Sequence, residues 1–214
     1  MSAITIRHDL RGRFGPARDQ GTRPTCMVFA TSDAHAGVRG PWKPLSCEYL
    51  YFHAKQREST PPADGASLRA VRESLEQDGQ PLEVVWPYLP TLPADLSTWK
   101  PPAQVGSVFH RPSQVVGSDF NDAWRLLANG SPALIVTTIS NAFYLPDAAG
   151  VIDATEPVDF SRRHAVVATA AGDNGSSRYL FIRNSWGETW GLSGNAWLAE
   201  QYAAPRIMDV VALI

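Results

Sequence analysis

Hydrophobic and polar positions change rhythm partway along the chain. Up to about residue 80 the apolar residues recur at helical spacing. Residues 26–37, "CMVFATSDAHAG", turn apolar directly after the polar loop "RDQGTRPT". Thr25 is a suitable N-cap and Gly37 a suitable exit, so this stretch predicts a helix. Residues 45–57 carry Tyr49, Leu50, Phe52 and Ala54 at mixed helical spacing. Residues 67–78 set Leu68, Val71 and Leu75 on one face, with Gly79 as a stop. The proline-rich span 81–102 reads as connecting structure in extended segments. After a short helix at 123–130, closed by Asn-Gly, the pattern shifts to short continuous apolar runs. Residues 133–139, 165–171, 178–184 and 195–199 read as strands, and Asp173–Asn174–Gly175–Ser176 reads as the turn of a hairpin between two of them. A helical first half followed by a strand-rich second half predicts an α+β protein, and no internal repeat is visible.

Composition narrows the class. A chain of 214 residues makes one large domain or two small lobes sharing an interface. With 44% hydrophobic and 19% charged residues it has the means to bury a core. The formal net charge is −2 and the cations are scattered, which argues against nucleic acid or an anionic membrane as partner. No apolar run approaches the roughly 18 residues of a membrane span. The first residues, "MSAITIRHDLRGRF", lack the apolar core of a secretory signal, so the expected location is cytoplasmic. Cys26 and Cys47 are a poor disulfide framework for a chain of this size, and two free thiols in a reducing compartment are expected.

Cys26 heads the first predicted helix, where partial positive charge and unpaired N–H groups favour a thiolate. Gln20 lies six residues before it, across a loop containing Gly21 and Pro24. Folded back, that loop would aim the Gln20 amide at the same point as the Cys26 N–H, making a two-donor oxyanion hole. A buried helix cysteine beside a turn glutamine is the competing reading. Of the five histidines, His8, His35, His53 and His110 lie in charged, helical or loop contexts with no polar partner suggested. His164 instead opens the strand "HAVVATAAG", and the partner strand ends in "RNSWGETW", which returns Asn184 to its side. An Asn carbonyl accepting the ring N–H would fix the tautomer whose other nitrogen faces a thiol.

Taken in order, "QGTRPTC", "LSCEYLY", "DGASLRAVRESLEQDGQPLEVVWPY", "HAVVATAAG" and "NSWGETWGLSGNAWLA" resemble the peptidase domain of the papain-like cysteine proteases, the family of papain, the cathepsins and bleomycin hydrolase. The resemblance covers nearly the whole chain. It implies two lobes, one helical (about 10–105) and one β-barrel-like (about 106–214 plus the N-terminal segment), with the active cleft between them. By the same resemblance Cys26 is the nucleophile, His164 the general acid/base, Asn184 its orienting partner and Gln20 the oxyanion-hole donor. Asp64, Gly65 and Ala66 would line the substrate cleft. Trp186 would shield the Asn184–His164 hydrogen bond at the edge of the substrate site, and Trp190 and Gly191 would continue the motif structurally. The Cys26 thiol is expected to titrate well below its usual value near 8.5.

The departures are local. The family's Cys-Gly-Ser-Cys-Trp reads "RPTCM" here, which removes a disulfide, puts Pro24 where a glycine nears the substrate and replaces a Trp with Met27. Arg163 precedes the histidine where Asp or Asn is usual, a cation that would disfavour imidazolium. The resemblance begins near residue 8, so a peptidase domain without an inhibitory propeptide is expected, and restraint would fall to narrow specificity, a partner or inhibitor, or removal of a segment outside this sequence. The expected activity is hydrolysis of peptide or protein substrates through a thioester on Cys26, with neither metal nor organic cofactor. Two alternatives are an amidase, deconjugase or transpeptidase using the same thioester, and a catalytically silent peptide-binding module.

Overall fold

The first helix, α1 (Cys26–Arg39), is buried on every side from Val28 to Gly37, because small and apolar residues occupy its whole circumference. The computed structural model describes residues 3–214. Two more helices, α2 (Cys47–Gln56) and α3 (Leu68–Gln77), pack against α1 and complete a helical layer. Each begins on a serine whose hydroxyl accepts a backbone N–H: Ser46 from Tyr49 and Ser67 from Ala70. Gly79, at φ +68°, ends α3 as the sequence suggests.

Two details of α1 correct the sequence reading. Thr25 precedes the helix, but its hydroxyl does not cap it. That hydroxyl lies 2.9 Å from the Tyr88 hydroxyl instead. Gly37 is not the exit, since the helix continues to Arg39. Gly37 is small because Phe14 packs on it: a Cβ there would lie 2.4 Å from the Phe14 ring.

The remainder is built on one eight-stranded sheet, preceded by β1 (Thr5–Asp9). In chain order follow β2 (Ser113–Gly117), α4 (Phe120–Ala128), β3 (Ala133–Thr138), α5 (Asn141–Tyr144), β4 (Val151–Ile152), β5 (Arg163–Asp173), β6 (Arg178–Arg183), β7 (Asn195–Ala199), α6 (Glu200–Ala203) and β8 (Ile207–Leu213). The strand order is β2-β8-β3-β5-β6-β7-β4, antiparallel except for the β4–β7 pair, and β1 pairs with the far end of β5. Strand β5 touches three partners and is buried from His164 to Gly172, which explains its unbroken apolar run. Asn174 organises the β5–β6 turn by accepting the N–H groups of Ser176 and Ser177, with Gly175 at φ +86°.

The sheet buries both faces. One face, with Val166, Ala168, Leu180 and Ile182, packs under α4 and the aromatics Phe143, Trp190 and Trp197. The other, with Leu134, Ala165, Val167, Val211 and Leu213, packs against α1, α2 and α3. The fold is α+β and two-lobed, and the lobes share this second core. Among the described residues no helix is long and apolar enough to cross a membrane.

Candidate active site

Helix α1 presents its first residue, Cys26, to a cleft of about 500 Å³ at the edge of the shared core. Across the cleft β5 presents His164, second in the strand and opposite Thr137 of β3. Backbone N–H groups of Ala165, next to His164, and of Met27 and Cys26 itself act electrostatically on the Cys26 sulfur.

His164 Nε2 lies 2.7 Å from Asn184 Oδ1, just past the end of β6. The same Oδ1 accepts the Ser185 backbone N–H at 2.8 Å, which identifies it as the oxygen. Nε2–H is therefore the donor, and Nδ1 keeps its lone pair. Asn184 Nδ2 is buried without a protein partner. Trp186 lies with its ring 4.8 Å from the imidazole, is stacked on Tyr144 at 5.1 Å, and meets Phe143 edge-on. The indole covers the imidazole rather than bordering the open cleft. Phe143 and Tyr144 draw it toward the aromatic cluster, and it is not among the residues that line the cleft.

Burial sets the electrostatics. It holds the His164 imidazole down to about 4, with the Asn184 hydrogen bond pulling the other way. Burial is also the largest influence on Cys26 and pushes its thiol up, against the downward pull of the three backbone N–H groups. The depression expected of the Cys26 thiol beside His164 therefore has to come from the pair. Passing the proton from sulfur to Nδ1 creates both charges together, and their attraction offsets the cost that burial imposes on either alone.

Gln20 is buried, and it is not among the residues that line the cleft. Its Nε2 donates to Arg23 O at 2.8 Å, and its Oε1 accepts Ser185 Oγ at 2.6 Å. The amide carries a second N–H besides the one donated to Arg23. Asp64, Gly65 and Ala66 do line the cleft, facing Pro24. Gly65 sits at φ +81°, and a Cβ on it would come within 2.9 Å of Pro24 O. Its own carbonyl accepts Lys55 Nζ at 2.6 Å. Arg163 also lines the cleft and is exposed, with Nε donating to Phe160 O at 3.1 Å.

Several residues escaped the sequence reading. Val136, Met208 and Asp209 line the cleft, where β3 and β8 pair Val136 with Asp209. A carboxylate within an apolar helix was the available signal for Asp33. It accepts Arg18 Nε at 2.8 Å and Arg183 Nε at 2.6 Å, joining α1 to the strand that leads into Asn184. Glu48, equally out of place in "CEYLY", holds Arg23. His35 and His53 also have partners, Gln80 Oε1 at 3.1 Å and Asp78 Oδ1 at 3.4 Å respectively. Cys47 is free, as Cys26 is, and fully buried. Among the described residues no group of three or more His, Cys, Asp or Glu side chains is arranged to hold a metal ion.

Residues 100–211 match the family described as papain family cysteine protease, a span holding His164 and Asn184 but not Cys26. The chain is 27% identical to cysteine proteinase 3 of Entamoeba histolytica over 195 residues, covering 89% of this chain and 61% of that protein. It is also 27% identical to the probable cysteine protease RD21C of Arabidopsis thaliana, covering 86% of this chain and 40% of that protein. The chain thus spans less than two thirds of these relatives' length. Among solved structures, xylellain, a cysteine protease from Xylella fastidiosa, aligns with a TM-score of 0.76 at 23% identity, over 99% of this chain and 86% of that one. Digestive procathepsin L 3 of Tenebrio molitor larval midgut aligns with a TM-score of 0.79 at 18% identity, over 99% and 70%. At those identities the likeness is one of fold.

Proposed function

The chain belongs to the papain family of cysteine proteases, and from that premise we propose that it hydrolyses peptide bonds through a thioester on Cys26. The observation that carries the proposal is the His164 Nε2–Asn184 Oδ1 contact of 2.7 Å, which leaves Nδ1 free to serve the sulfur across the cleft. The Cys26 proton passes to Nδ1 as the sulfur bonds to the substrate carbonyl carbon. The carbonyl oxygen gathers negative charge, which the Cys26 N–H and the second Gln20 amide N–H stabilise. His164 then gives its proton to the leaving amine as the carbon–nitrogen bond breaks. Water, deprotonated by His164, attacks the thioester carbon, and the acid leaves with the sulfur restored.

An extended peptide fits the cleft between Gly65–Ala66 and the Val136–Asp209 wall. Backbone pairing with substrate falls to the peptide groups of Gly65 and Ala66, the Gly65 carbonyl keeping a second lone pair beside its bond from Lys55. Both cysteines are free, which suits a reducing compartment such as the cytoplasm.

The test is turnover of a peptide substrate library by the wild type, Cys26→Ala and His164→Ala, with melting recorded in parallel. Both variants are expected to melt like the wild type and to lose turnover by at least about 10⁴-fold, as for a nucleophile and its base acting as a unit. Turnover by Cys26→Ala at the wild-type rate would end the thioester reading. Adding an amine acceptor and analysing products separates hydrolysis from transfer.

A further inference from the structure

The carbonyl that holds the Gln20 amide belongs to Arg23, whose side chain runs into the helical layer. There its guanidinium meets Glu48 end-on, Nη1 to Oε2 at 2.7 Å and Nη2 to Oε1 at 3.1 Å. Glu48 is fully buried in α2 and is otherwise satisfied. Its Oε1 accepts Trp99 Nε1 at 2.6 Å and its Oε2 accepts Leu89 N at 3.0 Å. Nη1 also donates to Leu89 O, and the guanidinium lies over the rings of Tyr51 and Tyr88 at 5.1 and 4.9 Å. A paired, forked and stacked guanidinium has essentially one position available to it.

The main chain of the same residue faces the reacting groups. Arg23 O accepts Gln20 Nε2 at 2.8 Å and Thr25 N at 2.8 Å. Tyr88, under the guanidinium, donates its hydroxyl to Gln20 O at 2.8 Å. The Gln20 amide is thus fixed on one side by Ser185 and on the other by a carbonyl whose position depends on the Arg23–Glu48 pair.

We propose that Arg23 is a positioning residue, held by Glu48, that sets the orientation of the Gln20 amide and so acts on the reaction through Gln20. This rests on the reading of Gln20 as the second oxyanion donor. A buried charge pair is weak evidence for a role in stability, since replacing one by apolar side chains of similar volume is often neutral or stabilising. The loop between Gln20 and Cys26 has no regular structure to hold it, and the guanidinium supplies that hold.

The experiment is a double-mutant cycle on kcat and KM with a peptide substrate that the wild type turns over, crossing Arg23→Lys with Gln20→Ala. Lysine keeps the charge but cannot form the two-pronged contact. Gln20→Ala alone is expected to lower kcat by about 10²-fold, the loss of one oxyanion donor. Arg23→Lys alone is expected to lower kcat by about 10-fold with KM within 2-fold, and to cost nothing further once Gln20 is alanine. Equal losses in both backgrounds, or no loss in either, would overturn the proposal. A Gln20→Ala enzyme with full kcat would instead overturn the reading of Gln20, and the proposal with it. Should Arg23→Lys fail to fold, Glu48→Gln takes its place, keeping shape while removing the charge, with the same pattern expected in the cycle.

Discussion

What surrounds a sulfur decides how it reacts, and this chain holds its own comparison. Cys26 opens a helix, feels the downward pull of nearby backbone N–H groups and shares a cleft with an imidazole whose free nitrogen can take its proton. Cys47 is sealed at the start of α2, where burial pushes its thiol far up, and its sulfur donates to Val28 O at 3.9 Å. Iodoacetamide at pH 6 should therefore alkylate Cys26 quickly and Cys47 hardly at all, as read by peptide mass mapping of both sites in one sample. Replacing His164 with alanine should slow Cys26 labelling at least about 10-fold, because burial then acts on the thiol with no proton acceptor beside it. Equal, slow labelling of the two cysteines would point to a silent binding module. At this scale Cys26, His164 and Asn184 were legible because their roles demand those residue types in a fixed order. Arg23 and Glu48 were not, since a charge in a loop and one on a helix ordinarily read as solvated, and only folding shows them facing each other.

Helix α1 was read from the sequence over 26–37, yet its first residue and its middle face different surroundings. His35, at its centre, is fully buried, with Nδ1 3.1 Å from Gln80 Oε1 and Nε2 without a partner. Burial, the largest influence, holds its imidazole down to about 4, as it does for His164. Arg39, Arg111 and His110 push it the same way, while Gln80 opposes. The unfolded chain takes up protons near pH 6.5, whereas the folded one does so only near 4. Stability is thus complete above pH 6.5 and falls as the pH drops toward 4, by about 3 kcal/mol for each such histidine. His35→Gln should narrow the gap between urea midpoints at pH 7 and pH 4.5, and an unchanged gap would show that His35 is proton-free in neither state alone. The strands β5, β6 and β7 could be read from their apolar runs. Strands β1 and β2 could not, because most of their residues are exposed and follow no alternation, and only pairing with β5 and β8 makes them strands. Strand β8 carried a usable signal in "IMDVVAL", β-branched but interrupted by an aspartate that turns out to face the cleft.

In the whole molecule the core of the helical layer runs on into the sheet. Val28, Phe29, Leu50 and Val71 belong to one continuous cluster with Leu134, Ala165, Val167 and Val211 from the sheet. Asp33, between Arg18 and Arg183, ties the same two layers with buried charge. The general division into helices followed by strands was visible in the chain, but this sharing was not, because a hydrophobic pattern tells which residues are buried and not against what. Differential scanning calorimetry should accordingly give one transition, with calorimetric and van't Hoff enthalpies equal, and two resolved peaks would contradict a common core. The same sharing bears on how such a protein can be taken apart and varied. Residues 1–105 produced alone would expose the face that Leu134 and Val167 now cover, and should aggregate unless the remaining half is supplied in the same tube to complement it. A chimera with a relative would meet the same obstacle, so sequence change in α1 and in β5 has to proceed as matched pairs across the seam.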